Sequence, residues 1–90
     1  MLSFGVVKEI VKEMAELQNR AYDQIYGSKY HLRTVEDDEK IEVVFDYNGK
    51  SIASHRFYCE VDYQQCIGLI VNTFATSTHE TIETLNRLRG

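Results

Sequence analysis

Proline is absent from all 90 residues, and so is tryptophan. Without proline the chain carries no rigid break between elements and lacks the commonest marker of an interdomain linker. The five glycines stand singly at positions 5, 27, 49, 68 and 90. No glycine-rich loop is therefore present to cradle a phosphate, and no G-x-S-x-G elbow to expose a nucleophile. Cysteine is limited to Cys59 and Cys66. A structural zinc site needs paired ligands at spacings such as C-x2-C, and a second pair is missing. A basic excess is missing too. Ten Lys and Arg against fourteen Asp and Glu give a net charge of −4 and a pI near 5.3, whereas a protein that neutralises phosphates shows a basic patch. Nucleic acid is not an expected partner. No run approaches the ~20 apolar residues of a membrane span, and Lys8-Glu9 follow the first apolar residues too closely to leave a signal-peptide h-region. A membrane is not expected either, and the setting read from this is cytoplasmic and reducing, with both thiols free.

What is present is the composition of a folding chain. Hydrophobic residues make up 43%, and ten aromatics, six Tyr and four Phe, separate the sequence from disordered ones. The length predicts one domain over residues 1–90, close to the lower size at which a single apolar core suffices without staples.

Over residues 4–26 the apolar positions Val7, Ile10, Met14, Leu17 and Ala21 recur at steps of three and four, with Lys8, Glu9, Lys12, Glu13, Glu16, Arg20 and Asp23 opposite. That periodicity predicts a long amphipathic helix, with Ser3 as its N-cap and Gly27 as its stop. Strands are predicted over 30–35, 40–47 and 51–61. A turn at Tyr47-Asn48-Gly49 with a bulge at Gly49 sets Val43 opposite Ala53 and Ile41 opposite His55, which gathers Ile41, Val43, Phe45, Ala53, Phe57, Cys59 and Val61 on one face. A two-residue Asn48-Gly49 turn would instead set Ile41 opposite Arg56 and Val43 opposite Ser54, mixing polar and apolar residues on both faces, because a one-residue slip exchanges them, so the bulged turn is preferred. The first hairpin is expected to close around Asp37-Asp38, with Tyr30, Leu32 and Thr34 beside Phe45, Val43 and Ile41. Asp62 with Gln65 and Ser77 with Glu80 resemble capping boxes, and Tyr63, Ile67, Ile70 and Phe74 form a helical stripe. The β-branched content of that region leaves a fourth strand over 67–74 as the alternative. The expected fold is therefore α+β: a long N-terminal helix, a three-stranded antiparallel meander, and a C-terminal helix or kinked helix pair. This order resembles the topology of double-stranded-RNA-binding domains. Asp62-Tyr63-Gln64-Gln65 stand where those domains begin their last helix with lysines, so no functional residue carries over.

Site chemistry is sparse. His31, His55 and His79 are scattered, and no nucleophile is placed beside them in sequence. The acidic run Glu36-Asp37-Asp38-Glu39 lacks the alternating ligands and central glycine of a calcium loop and reads as a solvated turn. No catalytic residue, metal or cofactor is expected. The first functional reading is a small non-enzymatic protein-interaction domain, acting as an adaptor, inhibitor or accessory factor and self-associating as a homodimer or binding another protein. Its candidate interface is Val44, Ile52 and Tyr58 on the outer sheet face and Val11, Tyr22 and Tyr26 on the helix, where apolar side chains exceed what a three-stranded sheet covers. The second reading is a small-molecule-binding or catalytic pocket between the helix and the sheet, lined by His55, Tyr30 and Cys59.

Overall fold

The computed structural model describes residues 3–58, 62–74 and 77–89. Its elements are α1 (Phe4–Tyr26), a single 3₁₀ turn (Gly27–Lys29), β1 (Tyr30–Glu36), β2 (Lys40–Tyr47), β3 (Lys50–Tyr58), α2 (Tyr63–Phe74) and α3 (Thr78–Arg89). The three strands form one antiparallel sheet in the order β1-β2-β3, so the fold is α+β with a long leading helix and two C-terminal helices. Among the described residues no helix is long and apolar enough to cross a membrane.

Each helix begins on the side chain that the sequence marks for it. Ser3 Oγ accepts from the Val6 N–H at 3.3 Å, Asp62 Oδ1 from Gln65 at 2.9 Å and Ser77 Oγ from Glu80 at 3.0 Å, each satisfying a donor that the first helical turn leaves unpaired. Gly27 ends α1 at φ 67°, where a side chain would be strained. Residues 67–74 are helix and not strand. Once Asp62 caps the first turn, Cys66, Ile67, Ile70 and Phe74 fall on one buried stripe, and burial offsets the weak helix propensity of the β-branched residues.

Over the described residues the sheet keeps the expected faces but not the expected partners; Cys59 and Val61, expected at the end of the third strand, lie outside the described residues. In the first hairpin Leu32 stands opposite Phe45, Thr34 opposite Val43 and Glu36 opposite Ile41, two residues from the predicted pairing. Asp37 causes this: its Oδ1 accepts from the N–H groups of Glu39 (2.8 Å) and Lys40 (3.0 Å), and its own N–H donates to the Lys40 carbonyl at 2.9 Å. The loop is thus centred on Asp38-Glu39. In the second hairpin the predicted Tyr47-Asn48-Gly49 turn gives way to the two-residue one, with Tyr47 opposite Lys50 and both Asn48 (φ 49°) and Gly49 (φ 80°) left-handed, the turn whose twist matches the strands. A bulge next to Phe45/Asp46 then restores the faces, because Asp46 pairs with Ser51 but Phe45 with Ala53, leaving Ile52 as the extra residue. Val43 accordingly faces His55, and Ile41 faces Phe57.

The core lies between the sheet and the helices. Val7, Ile10, Val11, Met14 and Ala15 of α1, Leu32 of β1, Ile41 and Val43 of β2, Phe57 of β3, Cys66, Ile70 and Phe74 of α2 and Leu85 of α3 form one buried cluster. Helix α1 packs on β1 and β2 and is flanked by α2 and α3. Arg87 of α3 reaches Glu13 of α1, and Lys12 pairs with Glu36 of β1 at 3.0 Å. Within the core, the Thr81 hydroxyl is buried with no hydrogen-bond partner among the described residues. A buried hydroxyl without a partner carries a desolvation cost that a methyl group does not. Thr81→Val is expected to raise stability by about 1 kcal/mol in urea unfolding, and a loss of stability would show that the hydroxyl is satisfied in solution.

Candidate functional site

The predicted interface residues separate into two groups. Val11 is fully buried and belongs to the core, because α1 packs against α2 and α3 as well as against the sheet. Val44 is also withdrawn, at 6% exposure. It stands between Arg33 and Ser54 on the outer face, where Arg33 crosses to Asp46 at 3.0 Å and Arg56 to Glu42 at 3.0 Å. Arginine stems lying across a sheet cover the apolar surface beneath them. The shallow depression on this face, bounded by Arg33, Glu42, Val44, Ser51, Ile52 and Ser54, is therefore floored by internally paired charges. Ile52 (60%) and Tyr58 (55%) remain exposed, as does Tyr26 (50%).

Tyr22 and Tyr26 belong to a cluster that their spacing alone does not disclose. At the C-terminal end of α1 the Tyr22 ring lies 5.8 Å from Tyr26 and 5.6 Å from Tyr30. Tyr26 lies 5.0 Å from Tyr30, and Tyr30 lies 4.8 Å from Tyr47. The 3₁₀ turn carries the chain back so that β1 starts beneath the helix end, and the first register places Tyr30 directly opposite Tyr47. These tilted and edge-on contacts are the arrangements that aromatic rings prefer. Ile25 beside them is 68% exposed. Tyr30 and Tyr47 are the members that sequence reasoning missed as interface residues; the predicted hairpin set Tyr30 beside Phe45 instead.

The residues expected to line a pocket do not converge. Tyr30 is on β1 and His55 on β3, with β2 between them, and Cys59 lies outside the described residues. The His55 side chain is exposed and meets the Phe45 ring edge-on at 5.6 Å. Among the described residues no three of His, Cys, Asp and Glu gather as metal ligands. His79 pairs with Glu83 one helical turn on. The Cys66 thiol is buried, and burial pushes its pKa upward, away from the thiolate that reactive cysteines need.

The other displaced titrations have structural causes. Backbone N–H groups of Glu39 and Lys40 hold Asp37 below its ordinary value, the Arg56 guanidinium lowers Glu42, and Ser51 with Arg33 lowers Asp46. Glu36 raises Lys12, and Glu42 raises Arg56. A carboxylate whose folded pKa lies below its unfolded one binds fewer protons when folded, so its contribution is complete above the ordinary values of 3.8 and 4.5 and is lost as pH falls through the lowered ones. The melting temperature should therefore fall as pH drops from about 4.5 toward 2. Combining Asp37→Asn, Glu42→Gln and Asp46→Asn should flatten that fall in a thermal series, and an equally steep fall would assign acid sensitivity to other groups.

Comparison of the chain with protein-family models, curated proteins and solved structures finds no match in any of the three.

Proposed function

We propose that this chain is a non-enzymatic protein-interaction domain whose contact surface is the tyrosine cluster at the end of α1. The observation that carries the reading is the chain of ring contacts from Tyr26 through Tyr22 and Tyr30 to Tyr47, flanked by exposed Ile25. Tyrosine concentrates at binding hot spots because it offers a large rigid apolar area with a polar tip and loses little rotamer entropy. Here neighbouring rings fix one another, so little ordering is needed when a partner arrives. The distribution of charge supports binding over catalysis. The shifted carboxylates and cations are matched to surface partners, and burial holds the Cys66 thiol toward its protonated form.

The test compares affinity capture from the native host using the wild-type chain and an Ile25→Lys/Tyr26→Ala variant as baits. Both residues are at least half exposed, so circular dichroism should be unchanged. The variant should lose a specific partner through at least a tenfold weakening, the effect of removing about 1.4 kcal/mol or more at a hot spot. Identical capture by both baits would reject this surface.

A further inference from the structure

The two edges of the sheet are treated differently by the rest of the molecule. In an antiparallel pair, a residue whose N–H and C=O bond to one neighbouring strand turns them away from the other side, so bonding direction alternates along the strand. The bonds Asp37 N–H to Lys40 O and Asn48 N–H to Lys29 O set this alternation for the whole sheet. On β1 the groups of Leu32 point outward, and Asn19 of α1 receives them: its side-chain amide donates to Leu32 O at 2.8 Å and its Oδ1 accepts from Leu32 N–H at 2.7 Å. At Leu32, midway along that edge, a side chain takes the place of a neighbouring strand. On β3 the same alternation turns Ser54, Arg56 and Tyr58 outward, and among the described residues no element lies beyond them. Every β3 side chain except Phe57 is exposed. The strand contains no proline; of the other features that keep an edge from pairing, Lys50 and the bulge at Ile52 lie toward its turn end, and the Arg56 charge is already matched by Glu42.

We propose that the β3 edge is a homodimer interface, in which a second copy of this chain adds its own β3 antiparallel and continues the sheet. The register is fixed by the outward groups. Centring the twofold axis on His55 pairs Ser54 of one copy with Arg56 of the other, and Ile52 with Tyr58, each twice. The exposed apolar side chains of the edge thereby cover one another on the outer face, as cross-strand neighbours do. Moving the centre to Arg56 sets the two Arg56 charges against each other, and moving it to Ser54 leaves Tyr58 unpaired. In the His55-centred register Arg56 keeps Glu42 as its counter-ion. The bulge at Ile52 marks where pairing ends. The surface is distinct from the tyrosine cluster and shares no residue with it.

Sedimentation velocity on the intact chain up to about 1 mM, where even a weak pair is half formed, should show a concentration-dependent dimer. Ser54→Pro removes an outward N–H without touching the ladder to β2, a position at which an edge strand accepts proline. It should raise the dimer dissociation constant at least about tenfold with unchanged circular dichroism. Cross-linking provides an independent reading. With Cys59→Ser in the background, His55→Cys should form a disulfide-linked dimer on mild oxidation, because non-hydrogen-bonded partners stand about 4.5 Å apart at Cα. Ser54→Cys, off the axis, should not. Tyr26→Ala should leave the dimer intact, which separates this interface from the tyrosine surface. A strict monomer at about 1 mM, or a dimer in which Ser54→Cys cross-links as readily as His55→Cys, would overturn the proposal.

Discussion

Phe57→Ala should cost about 3–5 kcal/mol, the range for truncating a buried phenylalanine. A domain of this size has only about 5–15 kcal/mol in total, and each kcal/mol moves its melting temperature by roughly 4–8 °C. The loss should be uneven. Phe57 is the only buried side chain of β3, packed opposite Ile41 and within the cluster that includes Ile70 and Phe74 of α2. Without it, the described part of β3 is held by its ladder to β2 and by exposed side-chain contacts such as Arg56 with Glu42. Hydrogen exchange should therefore show the inward amides Ala53 and His55 losing protection ahead of those in β1, since local opening follows local burial. Ile52→Ala, removing a similarly apolar but exposed side chain from the same strand, should stay within about 0.5 kcal/mol of wild type. A Phe57→Ala protein within about 1 kcal/mol of wild type would mean that β3 is anchored elsewhere.

The second large effect is expected at Asn19→Ala, with a loss of about 2–3 kcal/mol in denaturant unfolding. Two hydrogen bonds vanish together, and both partners belong to the backbone of Leu32, a residue almost wholly buried. A buried backbone group left without a partner costs more than the net value of the bond it made. Asn19→Asp keeps the acceptor for the Leu32 N–H but turns an oxygen toward the Leu32 carbonyl, so it should not restore stability. If Asn19→Ala were neutral, water must replace both bonds, and the β1 edge would be as open as the β3 edge. The two sheet edges would then no longer differ, and the β3 proposal would lose one of its premises.

Several features were legible in the residue order because they depend on neighbours in sequence. The bounds of α1 follow from apolar spacing between Ser3 and Gly27, and the starts of α2 and α3 from Asp62 and Ser77, since a cap is a contact over three residues. The faces of the sheet were legible as well, because alternation is local. The actual partners were not. The second hairpin uses the tight Asn48-Gly49 turn and then spends Ile52 in a bulge, an outcome with the same faces as the predicted turn but different pairs. Parity constrains the pattern modulo two residues and says nothing about the step of two.

Exposure was the least legible property. Val11 and Ile25 are both apolar residues on the flank of α1's main stripe, yet one is fully buried and the other 68% exposed. The difference is tertiary: the buried residues of α1 all lie between Val7 and Ala15, and its last turns are left uncovered by the described residues. Sequence by itself determined the first helix and the three strands, where the helices start and which way side chains alternate, all consequences of backbone geometry within a few residues, while residues 67–74 stayed open between helix and strand until burial of their stripe decided for helix. Only the tertiary structure decided which amphipathic surface is covered, that Tyr30 and Tyr47 join Tyr22 and Tyr26, and that Asn19 caps Leu32 on one sheet edge while no described element lies beyond the other. Those depend on elements far apart in the chain arriving side by side, which local spacing does not encode.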